Sequence, residues 1–124
     1  MEALNAEGIV EVLAANWDQE VTQSLAPVLL FWTADWCSTC RLMRPVIEEI
    51  AATGHRVLLA DVEKSRGLAE KNGVYAVPTM DIFTPGVREP VRYLGTVRKA
   101  ELLAALVRAS RQVVPAKAEV PDDL

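Results

Sequence analysis

Val28-Leu29-Leu30-Phe31-Trp32-Thr33-Ala34-Asp35-Trp36-Cys37-Ser38-Thr39-Cys40 is the stretch from which the rest of the chain is read. The five apolar residues Val28 to Trp32 are too few for a helix and do not alternate. They predict a strand buried on both faces. Arg41 to Ala52 follows, with Leu42, Met43, Val46, Ile47 and Ile50 at helical spacing. The C-x-x-C pair between them is a redox signature, and Cys37 and Cys40 are the chain's only cysteines.

The position explains the chemistry. Disulfide exchange needs a thiolate. A cysteine at a helix N-terminus has its negative charge stabilised by the helix dipole and by unpaired backbone N–H groups. Cys37 is predicted there, with Cys40 about one turn later on the same face. Cys37 would attack a substrate disulfide, and Cys40 would then attack Cys37 and release the reduced substrate. This arrangement requires an outer sulfur open to solvent and an inner one sheltered behind it.

Outward from that centre, the chain alternates strands and helices. Ile9 to Leu13 is expected as a first strand. Asn16 is expected as the N-cap of a helix reaching Ser24, with Asp18 and Glu20 in its first turn. Pro45 should kink the central helix, and Gly54 suits its end. Arg56 to Glu63 predicts a strand, Ser65 to Asn72 a short helix, and Thr79 to Thr84 a strand closed by the turn Pro85-Gly86. Val91 to Gly95 predicts the last strand. Lys99 to Ser110 predicts a helix with Leu102, Leu103, Leu106 and Val107 on its apolar face. The fold class is therefore α/β, a central mixed five-stranded sheet flanked by four helices. Residues 1–110 are expected as one domain and 111–124 as a flexible tail.

Composition excludes several classes. The 124 residues are 51% hydrophobic and 24% charged, ordinary for a globular domain with a core of its own. A net charge of -4 with scattered basic residues argues against nucleic acid and anionic membranes. No apolar run is long enough to span a bilayer, and the N-terminus does not read as a secretory signal. A cytoplasmic location is expected, where a lone C-x-x-C pair is seldom a structural staple. A structural zinc site needs four ligands, and only His55 remains beside the two cysteines. Three alternatives stay open on the residues alone: a metal or cluster bridging a dimer, two inert core cysteines, and a binding scaffold with dispensable thiols.

These features together resemble the thioredoxin family, over roughly Ile9 to Ser110. Trp36-Cys37-x-x-Cys40 is similar to its active-site run, and Pro45 to its helix-kinking proline. Val77-Pro78-Thr79 resembles its Ile/Val-Pro-Thr, in which the proline is cis. Gly95 matches a glycine on the last strand, and Asn16-Trp17-Asp18 the opening of the first helix. The resemblance implies a thioredoxin fold and a protein-disulfide reductase with no bound cofactor. It further implies a redox-active disulfide Cys37–Cys40, and electrons from NADPH only indirectly, through a thioredoxin reductase. Protein disulfides would be the substrates and the chain a monomer. The implied substrate groove is Trp36, Val62, Val77, Pro78, Leu94 and Gly95.

The chain departs from the family at several positions. Ser38-Thr39 replaces the usual Gly-Pro; either hydroxyl is a candidate to tune the Cys37 thiolate or to cap the helix. A less strongly reducing couple is expected. The family's buried aspartate and its lysine partner align with Phe31 and Leu59, both apolar, so the loss is paired. Asp61 or Glu63, or water, is left to take the Cys40 proton. Glu63 is also the expected partner of the Trp36 indole. Thr33-Ala34-Asp35 resembles the equivalent run in thioredoxin-like domains of transmembrane disulfide-transfer proteins.

Overall fold

The computed structural model describes residues 8–112. Five strands lie in the order β1-β3-β2-β4-β5. They are β1 (Val10–Glu11), β2 (Val28–Thr33), β3 (Arg56–Asp61), β4 (Thr79–Phe83) and β5 (Val91–Leu94). β1 and β2 each pair parallel to β3, while β4 runs antiparallel to both β2 and β5. Three α-helices, α1 (Ser38–Ala52), α2 (Arg66–Lys71) and α3 (Lys99–Arg111), join a helical opening segment to complete the mixed architecture.

Alternation along β2 builds two cores at once. Leu29 and Phe31 face Met43, Ile47 and Ile50 of α1 and Leu102 and Leu106 of α3. Val28, Leu30 and Trp32 face Val21 of the opening segment and Leu68 and Ala69 of α2. Every residue from Val28 to Trp32 is fully buried, as the unbroken apolar run requires. This two-sided burial fixes the end of β2, and the loop leaving it delivers Cys37 to the start of α1.

Local expectations shift at several positions. β1 is only Val10–Glu11, the two residues in register with Leu58 and Leu59. Asn16 does not cap an α-helix. Its side-chain oxygen accepts from Leu13 N–H at 2.7 Å and its amide donates to Glu11 O at 3.1 Å. Ala14–Asn16 is thereby a 3-10 turn, followed by a π-helical turn at Asp18–Thr22. Trp17, packed on Trp32 and edge-on to Phe83, anchors this irregular segment to the sheet. Glu20 is 3% exposed and pairs with Arg56, so it is no solvated first-turn acid.

On α3 the buried positions are Leu102, Ala105, Leu106 and Ala109, and Val107 faces solvent. Leu103 is partly buried and packs against the same core, while Ala105 and Ala109, rather than Val107, complete the buried face because their small side chains permit close approach. On α1, Leu42 likewise points outward. Arg111 ends α3 and Gln112 is its C-cap; the rest of the expected tail lies outside the described residues.

Candidate functional site

Cys37 is the N-cap of α1, with extended backbone (φ -94°, ψ 108°). Its sulfur takes the place a serine oxygen occupies in an ordinary cap and accepts the Cys40 N–H at 3.1 Å. An orphan helix donor is therefore aimed at the sulfur, the arrangement that stabilises a thiolate there once the pair is reduced. Cys37 and Cys40 are joined as a disulfide, with Cα atoms 5.2 Å apart. Cys37 is 6% exposed and Cys40 2%. Both cysteines are therefore buried, Cys37 only slightly less than Cys40, and the solvent-open outer sulfur expected from the sequence is not found, because the Val77-Pro78 loop packs against Cys37.

That loop is the second element of the site. The Val77–Pro78 peptide is cis. Val77 O lies 3.7 Å from Cys37 Sγ, across 40 residues of sequence. Thr79 is buried, and its hydroxyl donates to Ala76 O at 2.7 Å, tying the loop to the start of β4. Gly95 N–H donates to Pro78 O at 3.0 Å, and its φ of +75° is a conformation that a side chain would disfavour. Leu94, before it, is 62% exposed. Val62 is partly buried and packs against both cores. Trp36 is 65% exposed, and its indole N–H donates to Glu63 at 3.0 Å.

Among the predicted residues, the structure thus joins Cys37, Cys40, Val77, Pro78 and Gly95 through a chain of direct contacts. Trp36 and Glu63 form a pair beside them. Ser38 is exposed and Thr39 partly buried, and the hydrogen bond reaching the Cys37 sulfur comes from the Cys40 amide. Asp61 is 6% exposed, and its Oδ1 accepts from the backbone N–H groups of Glu63 and Lys64 at 2.8 and 3.2 Å. Tyr75, 86% exposed two residues before Val77, is a further aromatic at the loop that sequence reading passed over. Its position ahead of the Val-Pro pair was the available signal. No group of three or more His, Cys, Asp or Glu placed to hold a metal ion occurs among the described residues.

Comparisons with known proteins converge. A family model described as Thioredoxin matches residues 8–108. Thioredoxin of Pseudomonas aeruginosa is 31% identical over 104 residues, covering 82% of this chain and 95% of that protein. A bifunctional thioredoxin reductase/thioredoxin of Mycobacterium leprae is 36% identical over 118 residues, covering 92% of this chain and 24% of that protein. Among solved structures, a mutant thioredoxin from Halobacterium salinarum superposes with a TM-score of 0.74 at 26% identity. The match covers 96% of this chain and 99% of that one.

Proposed function

Since the chain belongs to the thioredoxin family and is a thiol–disulfide oxidoreductase, we propose that Cys37 is its nucleophile and Cys40 its resolving thiol. The observation that carries this reading is the Cys40 N–H directed at the Cys37 sulfur from the first turn of α1. It favours negative charge on Cys37 rather than on Cys40. Cys37, the less buried of the two, attacks the substrate disulfide and forms a mixed disulfide. Cys40 then displaces the reduced substrate.

The substrate lies extended against Val77-Pro78, with Trp36, Val62, Leu94 and Gly95 around it. Val77 O, already beside the sulfur, accepts a backbone N–H from the incoming strand, as an exposed β-edge does. The pattern fits protein disulfides presented on flexible segments. In this reading the chain acts as a monomer.

Electrons are supplied by a flavoprotein thioredoxin reductase drawing on NADPH. The Mycobacterium leprae relative, whose name joins a reductase and a thioredoxin, supports this route. The chain works in the cytoplasm, where a reducing environment keeps such a pair in turnover. No helix among the described residues is long and apolar enough to cross a membrane. The test is insulin reduction, first with dithiothreitol and then with a thioredoxin reductase and NADPH. Turbidity in both is expected. Turbidity with dithiothreitol alone rejects the reductase route, and none in either rejects the function.

A further inference from the structure

Resolution of a mixed disulfide requires the Cys40 thiol to lose a proton, yet Cys40 is 2% exposed. Cys40 lines a cleft of about 490 Å³ whose walls include none of Trp36, Cys37, Val77 or Pro78. A water molecule takes about 30 Å³, so the cleft has room for a connected file of them. Phe31 and Leu59, partners in the β2–β3 ladder, form part of its wall. The other charged groups on it are Glu11, Asp35, Arg41, Arg44 and Lys64. We propose that Asp61 takes the Cys40 proton through water held in this cleft. The proposal rests on the exchange reading above.

Three observations select Asp61. Register places it opposite Thr33 and two residues beyond Leu59, so its side chain leaves the sheet on the face that carries Phe31 and Cys40. Its Oδ1 is fixed by two backbone N–H groups, while its Oδ2 has no hydrogen bond among the described residues. It is the most buried carboxylate on the cleft, where a fixed charge acts more strongly than in bulk water. The competitors are worse placed. Glu11 sits on β1, two strands from β2 and so about 10 Å from the Phe31 row, and pairs with Lys64 at 3.8 Å. Asp35 is exposed. Glu63 is held by the Trp36 indole.

The step balances. The Cys40 S–H proton passes through water to Asp61. The Cys40 thiolate attacks Cys37 sulfur, the Cys37–substrate S–S bond breaks, and the Cys37–Cys40 bond forms. The electron pair leaves on the substrate sulfur, which is thereby reduced and protonated by solvent. The dithiol loses two electrons and the substrate gains them.

Stopped-flow reaction of the reduced full-length protein with an aromatic disulfide such as dithiobis-nitrobenzoate separates the two half-reactions. The first released chromophore reports Cys37 attack and the second reports Cys40 attack. Asp61→Asn keeps an oxygen for the two backbone N–H groups and removes the base. We expect the second phase to slow by about 10-fold or more at pH 7 with the first phase retained. The deficit should narrow as pH rises past the free-thiol range near 8.5, and Asp61→Glu should recover most of the rate. An unchanged second phase in Asp61→Asn overturns the proposal. So does a deficit equal at all pH, or an equal slowing by Glu11→Gln. Loss of the first phase in the unmodified protein instead rejects the exchange reading itself.

Discussion

Arg92 grips Asp81 with two hydrogen bonds, Nε to Oδ1 at 2.7 Å and Nη2 to Oδ2 at 2.9 Å, and Asp81 has no solvent exposure at all. The Trp32 indole N–H donates to the same carboxylate at 3.0 Å. Arg92 also donates to the carbonyls of Asn72 and Gly73, so a single guanidinium ties β4 and β5 to the end of α2. Its pKa is raised, first by the hydrogen bond to Asp81, with burial opposing. A raised base contributes its stability fully below its unfolded value and loses it only as pH climbs through the folded one. The Arg92 charge therefore stays in place throughout the neutral range. Arg92→Met leaves Asp81 buried and unpaired, and should cost roughly 3 kcal/mol in urea unfolding. Asp81→Leu combined with Arg92→Met should recover most of that loss. A double variant as unstable as Arg92→Met would contradict the pairing.

The two sulfurs have unequal jobs, so their serine variants should differ in kind. Cys40→Ser is expected to accumulate a mixed disulfide with an insulin chain, visible by non-reducing mass analysis. Cys37→Ser is expected to reduce insulin no faster than the assay without protein and to trap nothing. Trapping through Cys40 in the Cys37→Ser variant would reverse the roles.

Thr39 occupies the first turn of α1, where proline is tolerated because no intrahelical N–H bond is lost. Thr39→Pro should stiffen the turn between the sulfurs and move the couple toward stronger reduction by tens of millivolts, about 30 mV being 1.4 kcal/mol. Equilibration against glutathione measures it. A shift toward a more oxidising value would show that Ser38-Thr39 does not set the potential as expected.

Phe31 is fully buried, opposite Leu59 and Met80 in the sheet. Phe31→Asp removes a large apolar side chain and buries a charge without a partner. Destabilisation of roughly 3–5 kcal/mol is expected. The same carboxylate would stand on the cleft beside Cys40, so release of the second chromophore should speed up. An unaltered release rate would mean that proton transfer from Cys40 does not limit resolution.

Much of this was readable because it was local. The apolar run Val28 to Trp32, the cysteine spacing and the Val77-Pro78-Thr79 signal each carry their meaning within a few residues. They define the sheet, the helix start and the loop that meet at the site. What stayed hidden was non-local. Asp81 looks like an interruption between Met80 and Ile82, and its partners stand 49 residues before it and 11 after. Asn16 carried a strong capping signal, but its amide was drawn back to Glu11 and Leu13, and Trp17 was fixed by Trp32 and Phe83. The cleft behind Cys40 also escaped, because no stretch of sequence announces a hollow between β1, β3 and α1.

The contact between the Cys37 sulfur and the Val77 carbonyl bears on biosynthesis. A nascent chain that has emerged only as far as residue 76 already carries both thiols, but it lacks β4 and β5, the two strands that complete the central sheet, and the carbonyl that would seat a client. The groove that would select a client is therefore completed only after both cysteines have been made.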